Sequence, residues 1–170
     1  MSKPFNIYVD ASNFAVGACM TQISEEGERP VAFASCKFNN TQERWATIHK
    51  EAYAALWALQ KFKHWIFGKN GIEYSDHNPI TFLTETAPKS AKFMRWALAI
   101  QEFDVTFRYR KGSTNVVADC LSRNVYTGND GMKLGASSTY GTPAVSWIGY
   151  EHRPNYSVKN RPVLVIYIYI

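Results

Sequence analysis

Hydrophobic and polar positions alternate from the start of the chain. Phe5, Ile7 and Val9 are separated by Asn6 and Tyr8, the spacing of a strand with one buried face. Two more apolar runs follow, over residues 14–23 and 30–38, joined by the charged stretch SEEGE around Gly27. Short turns between three such runs predict an antiparallel meander. The period then becomes helical. Trp45, Ile48, Ala52, Ala55, Leu56, Leu59, Phe62 and Ile66 form one stripe along NNTQERWATIHKEAYAALWALQKFKHWIF. Asn40 with Glu43 has the form of a capping box, and Gly68 and Gly71 close the helix. Residues 72–76 read as a short strand, and NPITFLTE as a short helix or turn with Pro79 near its start. Residues 89–103 read as a second amphipathic helix, 104–110 as an alternating strand, and 116–123 as a final helix capped by Asn115.

Three meander strands followed by helix-linked strands imply an α/β domain, a mixed sheet with helices packed on it. That domain spans residues 1–123. Beyond Arg123 the stretch NVYTGNDGMKLGASSTYGTP has the composition of a linker. The chain then ends in RPVLVIYIYI, so residues 124–170 read as a Gly/Ser-rich linker and an apolar tail of unassigned role. An uncharged, β-prone segment is an aggregation hazard unless covered. Residues 163–170 are therefore expected to form a strand away from the carboxylates, either on an edge of this domain's sheet or across a homodimer.

Charge and cysteine usage narrow the class. The net charge is +5 and the pI about 9.1, which is consistent with a nucleic-acid partner without identifying one. Fifteen Lys/Arg stand against 12 Asp/Glu before residue 124 and four against two after it, so the tail is not the main basic element. Cys19, Cys36 and Cys120 are odd in number and far apart, which suits a reducing compartment and no disulfide framework. No CxxC or CxxC…H spacing suggests zinc. No apolar run reaches about 18 residues, the length of a membrane span, and no basic-then-apolar leader opens the chain. An intracellular protein, cytoplasmic or nuclear and away from membranes, is expected.

Four carboxylates occupy telling places. Asp10 ends the first strand, followed by the small residues Ala11 and Ser12; Asp76 ends the fourth. Glu51 borders the helical stripe and Asp119 sits in the first turn of the last helix. Singly, each has an ordinary reading: Asp10 caps a turn, Glu51 snorkels from a stripe edge, and Asp119 answers the helix dipole. Brought together they repel, by roughly 4 kcal/mol per pair at about 4 Å and an effective dielectric near 20. They would need cations or protons. Oxygen donors alone suit Mg²⁺ or Mn²⁺, and a pair of such ions serves phosphodiester hydrolysis.

YVDAS, IHKEAYAALWAL, YSDH, RWALAIQEFD and YRKGSTNVVADCLSR, in this order and spacing, resemble the ribonuclease H domain of gypsy-type LTR-retrotransposon reverse transcriptases. The similarity runs from about Lys3 to Arg123. It implies a ribonuclease H-like fold: a five-stranded mixed sheet whose first three strands form the meander and whose last two run parallel to the first. It also implies an endoribonuclease that cleaves the RNA strand of RNA–DNA hybrids with two Mg²⁺, for which Mn²⁺ can substitute. The family's catalytic and metal-holding set carries over to Asp10, Glu51, Asp76 and Asp119. Ala11 and Ser12 would admit the hybrid backbone, with Lys89, Lys92 and Arg95 as phosphate contacts. The wider family context implies a polymerase domain as partner, which this chain lacks.

Departures bound the resemblance. Cellular ribonucleases H carry a histidine in the loop before the last aspartate, and KGSTN has none. His77 fits the family's DH pair and is expected to fix a turn. The long basic gripping segment of some cellular enzymes is missing, and Trp57, Trp65 and Trp96 are expected in the core. The tail holds His152 and no cysteine, so it offers no zinc module. The competing class is an exapted, fold-retaining module, catalytically weak or silent, that binds protein or nucleic acid; retention of all four carboxylates favours the nuclease.

Overall fold

A computed structural model describes residues 4–86, 90–123 and 163–167. Strands β1 (Phe5–Ala11), β2 (Ala15–Ser24) and β3 (Gly27–Lys37) form the expected antiparallel meander. The β2–β3 turn closes at Gly27, whose φ of 114° favours glycine over any residue with a side chain. Strand β4 (Gly71–Ser75) lies parallel to β1, and β5 (Val105–Tyr109) parallel to β4. The expected five-stranded mixed sheet is present, in the order β3-β2-β1-β4-β5.

A further strand, β6 (Val163–Tyr167), pairs antiparallel with β3 from Cys36↔Val163 to Ala32↔Tyr167. The tail strand thus lies on its own chain's sheet edge, one of the two arrangements expected. The expected linker falls within residues 124–162, which with residues 168–170 lie outside the described residues.

The single helix expected over residues 39–67 is three pieces: α1 (Asn40–Glu43), α2 (Thr47–Lys61) and α3 (Lys63–Ile66). The cap is one residue earlier than the sequence suggested. The Asn39 side chain accepts the Gln42 N–H at 2.7 Å, and the Gln42 side chain accepts the Asn39 N–H at 3.0 Å, a complete capping box. The α1 turn then tightens, with Trp45 N–H donating to the Gln42 carbonyl. The Trp45 ring packs on Tyr53 and Trp96, centroids 5.6 Å from each. Three further helices follow: α4 (Pro79–Thr86), α5 (Ala91–Ile100) and α6 (Val116–Arg123). Helix α5 is shorter than the 89–103 expected, and Lys89 lies outside the described residues.

One sheet face carries the core. Phe5, Ile7, Val9, Val16, Ala18, Met20, Ala32 and Ala34 cluster with Ala52, Leu56, Leu59 and Phe62 of the α2 region. Trp57, Trp65 and Trp96 pack half-buried against this cluster, as expected. Each fully buried large aliphatic or aromatic side chain contributes about 1.5–3 kcal/mol, so α2 is locked to the sheet by its apolar stripe. Helix α6 packs on the opposite face, over β1, β2 and β3.

Candidate active site

Because β1 and β4 are parallel neighbours, their C-terminal ends share one sheet edge, where α/β sheets place their sites. Asp10 stands near the end of β1 and Asp76 directly follows β4. Helix α2 brings Glu51 to this edge from the core face, and α6 brings Asp119 from the other. Four separate elements therefore converge on one spot.

The electrostatics record the convergence. Glu51 is only 4% exposed. Burial first, then Asp76 and Asp10, push its carboxyl up to about 9, against the pull of the Ala11 backbone hydrogen bond. Glu51 Oε2 is buried with no hydrogen-bond partner. Burial also raises Asp10 above the ordinary carboxylate range; the Ser122 hydroxyl opposes this, while Asp119 and Asp76 reinforce it. Glu51, Asp76 and His77 can each place a donor atom within 4.8 Å of the others. His77 Nδ1 lies 2.8 Å from Asp76 Oδ1, and its backbone N–H donates to the Ser75 hydroxyl. That is the turn-fixing position expected of it, with an added contact to the carboxylate. The KGSTN loop folds into a 3-10 turn at Gly112–Thr114. A Cβ on Gly112 would come within 3.4 Å of Asp76 Oδ2, so the loop passes directly beside the carboxylate.

A set of acidic oxygens with an orphaned buried member fits a hard divalent cation. The cation contact among them is peripheral: Arg123 Nε donates to Asp119 Oδ1 at 2.6 Å from a side chain 67% exposed. Such an exposed pair offsets little of the mutual repulsion of the group.

Residues 1–103 match the family described as the RNase H-like domain found in reverse transcriptase. The chain belongs to that family. The matched span of this RNase H-like domain includes Asp10, Glu51 and Asp76; Asp119 lies beyond it. Among curated relatives, the chain is 41% identical over 123 residues to a retrovirus-related Pol polyprotein from transposon opus of Drosophila melanogaster, covering 72% of this chain and 12% of the relative. It is 35% identical over 122 residues to the corresponding polyprotein from transposon gypsy of the same organism, covering 71% and 11%. The chain thus spans about a tenth of the length of these relatives. A foamy viral protease–reverse transcriptase solved in complex with an RNA/DNA hybrid superposes with a TM-score of 0.54 at 20% identity, covering 78% of this chain and 18% of that one. RNase H1 from the archaeon Halobacterium salinarum superposes with a TM-score of 0.51 at 21% identity, covering 69% and 93%. These likenesses establish the ribonuclease H fold.

The residues expected to meet substrate are less free than their sequence setting suggested. The Ala11 backbone is engaged with Glu51. The Ser12 hydroxyl donates to the Ser122 carbonyl at 2.6 Å and accepts the Phe14 and Ala15 N–H groups, so it holds the β1–β2 turn. Lys92 Nζ sits 3.4 Å from the Trp45 ring centroid and 4.6 Å from that of Trp96. Arg95 is exposed, with Nε donating to the Ala91 carbonyl.

Three polar contacts of the RNase H-like domain escaped the sequence reading, which named Asn115 only as a helix cap. Ser122 Oγ lies 2.6 Å from Asp10 Oδ2, the Asn115 side-chain amide donates to the Val9 carbonyl at 2.8 Å, and Arg123 pairs with Asp119. The first two contacts cross more than a hundred residues of sequence, which no local pattern reveals. Ser122 did carry one signal: it is three residues from Asp119, hence on the same helix face. No described helix is long and apolar enough to cross a membrane.

Proposed function

We propose that this domain is a metal-dependent endoribonuclease that cleaves the RNA strand of RNA–DNA hybrids. In this reading it is the RNase H part of a retrotransposon Pol polyprotein and works beside a polymerase domain. The observation that carries the reading is the convergence of Asp10, Glu51, Asp76 and Asp119 from four elements, with Glu51 Oε2 buried and unpartnered.

Asp10, Glu51, Asp76 and Asp119 would hold two Mg²⁺. Bound there, the ions supply an activated water and neutralise charge on the leaving oxygen. The protein's own part is positional. Ala11 fixes the Glu51 carboxylate, the Ser122 hydroxyl meets Asp10, and His77 braces Asp76. The Gly112 turn keeps bulk away from Asp76. In this reading the exposed Arg95 would meet a substrate phosphate, whereas Lys92 is already taken up by Trp45 and Trp96.

The test is incubation with a hybrid labelled on its RNA strand, with Mg²⁺ and with EDTA. Cleavage confined to the RNA strand, and abolished by EDTA, supports the proposal. No cleavage in Mg²⁺ or Mn²⁺, or cleavage that survives EDTA, removes it.

A further inference from the structure

Helix α6 is attached to the sheet through backbone and hydroxyl contacts. Its flank outside the sheet contact includes Val116 and Val117, 66% and 48% exposed. On the sheet side, Gly17 leaves α6 backbone against backbone: a Cβ there would lie 2.5 Å from Ser122 N and 2.7 Å from Leu121 Cβ. Gly17 pairs with Asp10 on one side and with Ser35 on the other. One row across three strands therefore faces the same helix turn. Ser35 Oγ donates to the Leu121 carbonyl at 2.7 Å, and Ser12 Oγ to the Ser122 carbonyl at 2.6 Å. These hydroxyls satisfy carbonyls that a helix end leaves without intrahelical partners.

Ser122 is different from both. Its side chain is fully buried, and its Oγ has two acceptors in reach: Asp10 Oδ2 at 2.6 Å and the Asp119 carbonyl at 2.9 Å. A hydroxyl has one proton to donate, and a bond to an ionised carboxylate is the shorter and stronger of the two. The Asp119 carbonyl is the ordinary back-bonding acceptor of a helical serine. The Asp10 carboxylate is not, and it is reachable only because Gly17 lets α6 sit this low.

We infer that Ser122 is a positioning residue: its hydroxyl engages Asp10 Oδ2 and so leaves Asp10 Oδ1 turned toward the other carboxylates. This rests on the proposed nuclease reading. It deepens that reading by assigning the orientation of the first carboxylate to the same helix that supplies the fourth. Outer partners of metal-binding carboxylates carry about 10–100-fold in affinity or activity.

The test compares Ser122→Ala with Ser35→Ala in residues 1–170. Each removes one sheet–helix hydroxyl, but only the first touches a carboxylate. Mn²⁺ affinity by calorimetry is expected to fall about tenfold in Ser122→Ala and less than twofold in Ser35→Ala. Cleavage lost by Ser122→Ala at low Mg²⁺ is expected to return as Mg²⁺ is raised. In the metal-free protein at fixed pH, the ¹³C carboxyl resonance of Asp10 should move in Ser122→Ala alone. An unmoved Asp10 resonance, or equal losses of Mn²⁺ affinity in the two variants, overturns the inference. A wild-type chain that binds no Mn²⁺ overturns the nuclease reading instead, and the Asp10 resonance still reports whether the hydroxyl holds that carboxylate.

Discussion

Gly17 stands opposite Asp10 in the β1–β2 ladder, and a side chain there would collide with the Ala118 carbonyl oxygen. The glycine therefore sets how close α6, and with it Asp119, approaches Asp10. Gly17→Ala is expected to force the helix outward. Overpacking of this kind costs about 1–3 kcal/mol, and hybrid cleavage should fall far more than the remaining folded fraction. Urea denaturation and a cleavage assay on the same preparation check this. Full activity with unchanged stability would show that α6 does not depend on the close approach.

Strand order was legible in this sequence because its strands alternate cleanly and its turns are short. The core helix was legible through Ala52, Leu56 and Leu59. The break at Trp45 was not, since Trp45 lies on the same helical stripe as Ile48 and Ala52; in the structure its ring packs on Tyr53 and Trp96 just past the end of α1. The four carboxylates were readable as strand ends and helix turns. The contacts that fix them were not, because Ser122 and Asn115 reach across the sheet to Asp10 and Val9.

Glu73 shows the same limit. Flanked by Ile72 and Tyr74, it has the look of a solvent-facing strand residue. In β4, however, it shares the face of its partner Ile7, under the helices. Burial in β4 alternates the other way: Glu73 and Ser75 are buried, while Ile72 and Tyr74 are half-buried. Glu73 is fully buried and neither carboxylate oxygen has a partner. Glu73→Met is expected to raise stability by about 1–3 kcal/mol, with cleavage retained. Thermal melts of both proteins decide it; a destabilised Glu73→Met would mean that the carboxyl is satisfied in solution.

Glu73 and Glu51 together set a pH dependence. Burial raises both Glu73 and Glu51 above 4.5, Glu51 to about 9. Each folded-state value exceeds its unfolded one, so each contributes stability that is complete below about pH 4.5 and is lost as pH climbs through the folded value. Metal-free protein should therefore be less stable at pH 8 than these groups allow at pH 5, and Glu51→Gln should flatten part of that slope. Melts in EDTA across this range, compared between wild type and variant, give the answer.

On the proposed reading, metal binding would displace a proton from Glu51, whose carboxyl burial pushes up to about 9. Apparent Mg²⁺ or Mn²⁺ affinity is expected to rise with pH below about 9, by up to about tenfold per unit for one proton released. Calorimetry in two buffers of different ionisation enthalpy counts that proton directly. Identical heats in the two buffers would show that Glu51 is already ionised in the free protein.

On the proposed reading, Asp10→Asn and Asp76→Asn should reduce hybrid cleavage to background, each removing a charge from the proposed metal site. Because the carboxylates repel one another in the metal-free protein, the same variants should be more stable in EDTA, by about 0.5–2 kcal/mol, the usual trade between activity and stability at a charged site. Mg²⁺ should stabilise the wild type and not the variants. A variant that loses both activity and stability in EDTA would instead assign the aspartate a structural role.

The last prediction concerns the edge of β3. Without β6, the β3 backbone from Ala32 to Cys36 would present open hydrogen-bonding groups, a template for pairing with other chains. Val165 faces Ala34 at the middle of the β3–β6 ladder. Val165→Pro keeps the length of the tail but removes a backbone donor and fixes φ, which is poorly tolerated inside a ladder. Deleting residues 124–170 removes the segment altogether. If β6 protects the edge, both changes should lower the melting temperature and promote association, while hybrid cleavage per folded molecule is kept, since the carboxylates lie at the strand ends near β1 and β4. Light scattering and thermal melts at several concentrations read this out. If the truncated chain stays monomeric with an unchanged melting temperature, the β3 edge needs no cover, and residues 1–123 form the complete folding unit.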